Sequence, residues 1–211
     1  IREARGSYDM EFAVHAPFSD LNIASLDTKA REYALAQVTE AIEISAALDI
    51  EVVTLHPGHR SPLGAYFPEK ALENHQNSLQ KLDEAGREHG ITLALENMPK
   101  MWISLCASAE EIRAAIDGTS MKICYDIGHA NISGDVEGFL ELSSKIANLH
   151  LHDNFGKVDR HLVLGEGDID IPGILNQLKG YNGLFVIECM NLEEGIKSKA
   201  VLEKMLGNLR D

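Results

Sequence analysis

Seven short apolar runs along this chain each end in a histidine, aspartate or glutamate: EFAVHAPF, VVTLHPG, TLALEN, KICYDIGH, NLHLHD, VDRH and FVIEC. Between them lie longer amphipathic segments. Strands are expected at about 11–16, 51–56, 92–97, 121–126, 146–152 and 184–189, with a short irregular one near 161–165. Helices are expected at about 27–48, 67–89, 108–117, 136–145, 171–179 and 192–209. Ser108 followed by Glu111 has capping-box spacing, and Gly90 reads as a helix stop. Alternation of this kind specifies a parallel α/β sheet. An open doubly wound sheet gathers ligands at one switch point, whereas here every strand ends in one. Only a ring brings all of those ends together, so the expected fold is a (β/α)8 TIM barrel. The strand count falls one β–α unit short of eight. The reading places that first unit ahead of Ile1 or leaves the barrel incomplete. No Gly/Ser linker divides residues 1–211, which read as one domain.

Composition narrows the function classes. The net charge of −14 argues against a passive nucleic-acid binder, although bound divalent cations would cancel part of the acidic excess. Cys106, Cys124 and Cys189 are odd in number and lack framework spacing, which fits a reduced, cytoplasmic protein with Cys124 and Cys189 as plain buried thiols. No apolar run approaches the roughly 20 residues of a membrane span, and no membrane partner is expected.

The ligand-type residues at the run ends are His15, His56, Glu96, Asp126, His129, His150, Asp159, His161 and Glu188. Mixed imidazole and carboxylate donors suit Zn²⁺, Mn²⁺ or Fe²⁺ better than Mg²⁺. Buried acids without partners are costly, so the carboxylates themselves call for cations. Asp126 and His129 can reach one mouth from a strand end and the turn after it. Asp159 and His161 alternate across Arg160 and so share a side of an extended segment. The glycine-rich GEGDIDIPG leads into a helix near Pro172, whose N-terminus is a possible phosphate seat. His75 and His89 read as surface residues of helices. Asp20, Asn22 and Trp102 lie in loops near the expected mouth.

Taken in order, VHAPF, LHPG, LALEN, CYDIGH, LHLHD, VDRHLVLGEG and FVIECMN resemble the strand motifs of the xylose isomerase-like TIM-barrel superfamily, from about Glu11 to Glu188. That group holds the endonuclease IV abasic-site nucleases and many sugar or sugar-phosphate isomerases and epimerases. The nuclease resemblance implies up to three zinc ions. The first would be held by His15, His56 and Glu96, and the second by Glu96, Asp126, His150 and Glu188. The third would be held by His129, Asp159 and His161. The isomerase resemblance implies one divalent ion, such as manganese, on Glu96, Asp126, His150 and Glu188, with Glu96 and Glu188 as proton-transfer groups. His59, His152 and Arg160 would then contact hydroxyl or phosphate groups.

Three departures from the nuclease pattern stand out. Gly128 occupies the cysteine position before His129, His152 the usual asparagine position, and MPKMWISL follows the LEN strand. The favoured expectation is an endonuclease IV-like phosphoesterase with Glu96, Glu188 and His150 as catalytic groups. A mononuclear isomerase or epimerase is the alternative, and a silent barrel is a third reading. The expected substrate is phosphorylated or sugar-containing, with abasic DNA disfavoured by the charge.

Overall fold

The computed structural model describes residues 2–7 and 11–208. After a short helix α1 (Arg2–Ser7), strands and helices alternate: β1 (Val14–His15), α2 (Thr28–Ala47), β2 (Val52–Leu55), α3 (Pro62–Tyr66), α4 (Pro68–His89) and β3 (Thr92–Glu96). There follow α5 (Ala109–Ala115), β4 (Lys122–Asp126), α6 (Ile127–Ser133), α7 (Val136–Leu140), β5 (Ile146–Leu151), α8 (Ile171–Gln177), β6 (Leu184–Ile187) and α9 (Leu192–Asn208). The six strands form one parallel sheet in sequential order, β1 to β6. The sheet curls on itself. Asn148 of β5 donates through Nδ2 to Thr54 Oγ1 of β2 at 3.0 Å, and the His15 and His150 rings lie 5.9 Å apart. Six of a TIM barrel's eight strands are therefore present among the described residues, in barrel order.

The helices begin and end where local chemistry dictates. Asp27 caps α2 by accepting from the backbone N–H of Lys29 and Ala30. Gly90 closes α4 in the left-handed region at φ 69°, with Arg87 and His89 in the last turn. Ser108 caps α5 by accepting from Glu111 N, while Glu111 reaches back to Ala107 N rather than to Ser108 itself. The outward faces of the strands, with Val53, Leu55, Leu93, Leu95, Ile123, Leu149 and Leu151, pack on Ile42, Leu79 and Ile112 of the surrounding helices, all fully or nearly fully buried. Each such side chain contributes roughly 1.5–3 kcal/mol.

Several expectations need correction. The seventh strand near 161–165 does not form, and Leu162 makes only an isolated bridge to Asp153. The physical reason is Asp153, a fully buried carboxylate around which the segment wraps. Its oxygens accept from the backbone N–H of Asn154 (2.9 Å), Gly165 (2.8 Å) and Ile169 (3.3 Å). Gly167 fits closely against it, since a Cβ there would stand 2.2 Å from Asp153 Oδ1. The helix expected over 136–145 stops at Leu140, and a 3-10 turn at Ser143–Lys145 leads into β5. Two short helices, α3 and α6, stand where loops were expected. The phosphate seat after GEGD is filled by the chain itself, because Asp170 accepts from Gly173 N at the start of α8. His89 is exposed as expected, but His75 is buried on α4 with no hydrogen bond to Nε2.

Two outcomes follow. Burial lowers the His75 pKa to about 4, while the unfolded chain takes up that proton near 6.5. The unfolded state thus binds more protons between these values, and stability falls as pH drops from 6.5 towards 4. The unfolding free energy of the wild type relative to His75→Leu should decrease by on the order of 3 kcal/mol across that range, and a pH-independent difference counts against it. Replacing Asp153 with Ala should remove about 3 kcal/mol of stability by leaving three backbone N–H groups, that of buried Asn154 among them, without their acceptor. Hydrogen exchange should then quicken first in 155–169.

Candidate metal centre

All nine ligand-type residues reach the carboxyl end of the curled sheet. His15 ends β1, His56 follows β2, Glu96 ends β3, Asp126 ends β4, and Glu188 follows β6. His150 lies within β5 and points inward. His129 arrives differently: Asp126 caps α6 by accepting from His129 N at 2.7 Å, so the strand turns directly into a helix whose first turn returns the imidazole to the mouth. Asp159 and His161 come from the loop organised by Asp153. His161 sits at φ 48°, a backbone state that side chains rarely adopt.

The nine gather into three groups, the first two sharing Glu96, and within each group the donor atoms lie within 4.8 Å of one another. In the first, Glu96 Oε2 stands 3.2 Å from both His15 Nε2 and His56 Nε2. The second joins Glu96, Asp126, His150 and Glu188, with His150 Nδ1 3.2 Å from Glu96 Oε1 and 2.9 Å from Glu188 Oε1. The third contains His129, Asp159 and His161, with Asp159 Oδ2 3.2 Å from His129 Nε2 and 3.3 Å from His161 Nε2. His161 Nδ1 also lies 3.5 Å from Glu188 Oε2, which ties the third group to the second. Backbone carbonyls orient two of the rings. His15 Nδ1 pairs with Ala16 O and His129 Nδ1 with Asn97 O, both at 2.8 Å, which leaves Nε2 facing the site.

Burial disfavours charge on Glu96, His129 and His150, yet contacts within the site override it. Burial alone would raise the Glu96 carboxyl, but hydrogen bonds from His15, His150 and His56 hold it well below its usual range. Burial opposes a charged His129, and the carboxylates of Asp126, Asp159 and Glu96 nevertheless raise it to about 10. His150 is raised in the same sense against its burial, by Cys124, Glu188 and Glu96. Imidazole nitrogens thus face the carboxylate oxygens of the site at close range.

That pairing is incomplete. Asp126 Oδ2 is buried without a hydrogen-bond partner, an arrangement that costs several kcal/mol unless a cation completes it. Mixed nitrogen and oxygen donors at mutual ligand distance, with an orphaned carboxylate oxygen among them, fit divalent transition ions. The cleft above the groups encloses about 620 Å³ and is lined by His15, Phe18, His56, Met101, His161 and Glu188, among others. Among the described residues its lining includes neither lysine nor arginine. Phe18 lies stacked on His56 with ring centroids 4.2 Å apart.

Other residues find plainer roles. Asn22 staples two loops, accepting from Ala24 N and His59 N and donating to His59 O. Trp102 and Arg160 are exposed. Cys124 is buried and its thiol is pushed up to about 12 by that burial, as befits a neutral packing group. Cys189, expected to be buried, is half-buried at the cleft rim because β6 stops at Ile187. His152 corrects the reading more deeply. It is fully buried beside Asp126 and Asp159, so it cannot reach out to a sugar hydroxyl, and it joins the third group. The signal was present in the spacing, because His150 and His152 alternate on one face of the strand.

Comparison with known proteins agrees with this architecture. A family model described as xylose isomerase-like TIM barrel matches residues 1–209. MJ1311, an uncharacterized protein of Methanocaldococcus jannaschii, is 38% identical over 98% of this chain and 73% of its own length. A probable endonuclease 4 of Acholeplasma laidlawii is 27% identical over 77% of this chain and 60% of its own. The crystal structure of a D-tagatose 3-epimerase-like protein, 35% identical, superposes with a TM-score of 0.94 over 99% of this chain and 82% of the other. The parallel curled sheet, the ligand ends and the matched span together place the chain in the xylose isomerase-like TIM-barrel family.

Proposed function

We propose that this protein is a divalent-metal-dependent phosphoesterase acting on a small phosphorylated substrate, with sugar phosphates as the favoured class. The observation that carries the reading is the third ligand group. His129, Asp159 and His161 are brought beside the shared Glu96–His150–Glu188 cluster, and a one-ion isomerase has no use for them. On this reading His15, His56 and Glu96 hold one ion, Glu96, Asp126, His150 and Glu188 a second, and the third group another, zinc or manganese being the suitable metals. Bound ions would supply Lewis-acid activation of water and neutralise charge on a phosphoryl group.

The chain's own residues have separable tasks. Glu96 belongs to the first two groups through its two oxygens and sets their spacing. Glu188, at the rim and 2.9 Å from His150, is placed to accept a proton from the attacking water. His150 orients Glu188 through their 2.9 Å contact. Among the described residues a phosphate in this cleft meets no lysine or arginine, so its charge has to be balanced by cations. The cleft's volume suits a small molecule, and the net charge of −14 disfavours a DNA duplex.

A second reading has one specific observation in its favour. Glu96 and Glu188 both contact the same nitrogen of His150, an arrangement suited to moving a proton off and onto carbon beside a carbonyl, and the epimerase-like structure is similar over nearly the whole chain. The two readings separate on one variant. His161→Ala should lower phosphate release from a phosphomonoester panel by at least about 100-fold. It should leave exchange of a ketose proton with D2O within a few-fold if the epimerase reading holds. Elemental analysis offers an independent check: about three ions per chain supports the phosphoesterase, and one supports the epimerase.

A further inference from the structure

The cleft above the ligand groups is layered. The candidate ligands form its inner part, with Glu96 and His129 only 1% and 5% exposed. Its outer wall is made by Phe18, Pro99, Ile187, Cys189 and three methionines. Among the described residues, no side chain of that wall carries a hydroxyl, an amide or a charge. Phe18, Met101 and Met190 stand 49%, 53% and 75% exposed at its edge.

Three connections at the carboxyl end of the sheet supply this wall. Phe18 comes from the one after β1, Met98 and Met101 from the one after β3, and Met190 from the one after β6. Their backbones are held in place. Met98 N donates to Cys106 O at 3.1 Å, and Met98 O accepts from Ser133 Oγ at 3.2 Å. Met101 N donates to Ser104 Oγ at 3.2 Å, and that buried hydroxyl donates in turn to Pro99 O. Phe18 is braced by its stacking on His56. The wall is thus fixed at its backbone, while its thioether side chains adapt to what they meet.

The two layers ask for two kinds of chemistry in one ligand. Phosphate and hydroxyl oxygens belong at the floor, where imidazoles, carboxylates and any ions they hold meet them. Farther out, a sugar hydroxyl turned to the wall loses water and gains no side-chain partner. A flat aromatic ring loses nothing there, since its faces and edges suit thioether sulfur and the Phe18 ring. A bare sugar phosphate leaves the wall unused.

We propose that the wall is a subsite for an aromatic group, so that the substrate is a sugar phosphate bearing a planar base, the chemistry of a nucleoside monophosphate. This rests on the phosphoesterase reading for the phosphoryl end and adds recognition of the other end. Base edges are left to solvent, and the subsite reads flatness rather than base identity. In the reaction, the oxygen of water bonds to phosphorus, the P–O bond to the sugar breaks, and the nucleoside leaves with a proton from that water.

The test uses the whole chain loaded with Zn²⁺ or Mn²⁺ and compares adenosine 5′-monophosphate with ribose 5-phosphate. For release of inorganic phosphate, kcat/KM should be at least about 30-fold higher for the nucleotide, mostly through KM. Met101→Ser combined with Met190→Ser should cut that ratio about 10-fold. Both side chains are exposed, so the core is untouched. Equal use of the two compounds overturns the proposal. So does a variant that slows both alike, as expected of a wall that only shields the ions from water. Binding is read separately through Trp102, the chain's single tryptophan, 68% exposed and next to Met101. The nucleotide should quench its fluorescence, and ribose 5-phosphate should displace the nucleotide only at about 30-fold higher concentration. Such quenching without phosphate release from either compound would sink the phosphoesterase reading and keep the subsite. Hydrolysis with no preference for the nucleotide would do the reverse.

Discussion

The carboxylate of Glu96 is 1% exposed, and three imidazoles from three other elements converge on its two oxygens. A carboxylate so far from water is tolerable only when its charge is met at close range. This requirement fixes the relation of β1, β2, β3 and β5 at their carboxyl ends. The surrounding barrel is the means by which residues 81 and 54 positions apart in sequence come within hydrogen-bond distance of one carboxylate.

The same requirement explains the polar interior around the mouth. Asn97 pairs reciprocally with the backbone of Asp126, and Asp153 draws a loop of more than ten residues around its oxygens. These buried polar contacts contribute less to gross stability than the aliphatic shell between sheet and helices. Their effect is positional, because a fully satisfied buried network admits one arrangement. Asp159 and His161 reach the third group from an irregular loop only because Asp153 removes that loop's freedom. Coordination built on strands and coordination built on a loop thus meet in one cleft.

Similar proteins carry both nuclease and epimerase names, and the ligand groups here are compatible with either chemistry. The second ligand group is complete in itself and contains two carboxylates on one histidine, which is the minimum for proton transfer at carbon. The first and third groups flank it and add capacity for charge. On the proposed reading, the chemistry depends on how many of these groups hold an ion, while the strands that carry them stay the same.

Periodicity sufficed for the parallel sheet and for the acids and imidazoles that stand at or just past its strand ends, because a buried strand must be apolar until it emerges and the polar residue at its tip is then conspicuous. The sequence also held the His150–His152 alternation and Gly128. What it could not disclose was that these two departures touch, since Gly128 and His152 are 24 positions apart and their fit is a matter of atoms two ångströms from collision. Nor could it show that the segment near 161–165 is a loop drawn in by Asp153, or that His75 faces the interior. Strand ends obey a local rule that any single segment displays. Cavity shape, loop path and the company kept by a buried imidazole depend on several segments at once, so only the assembled barrel decides them.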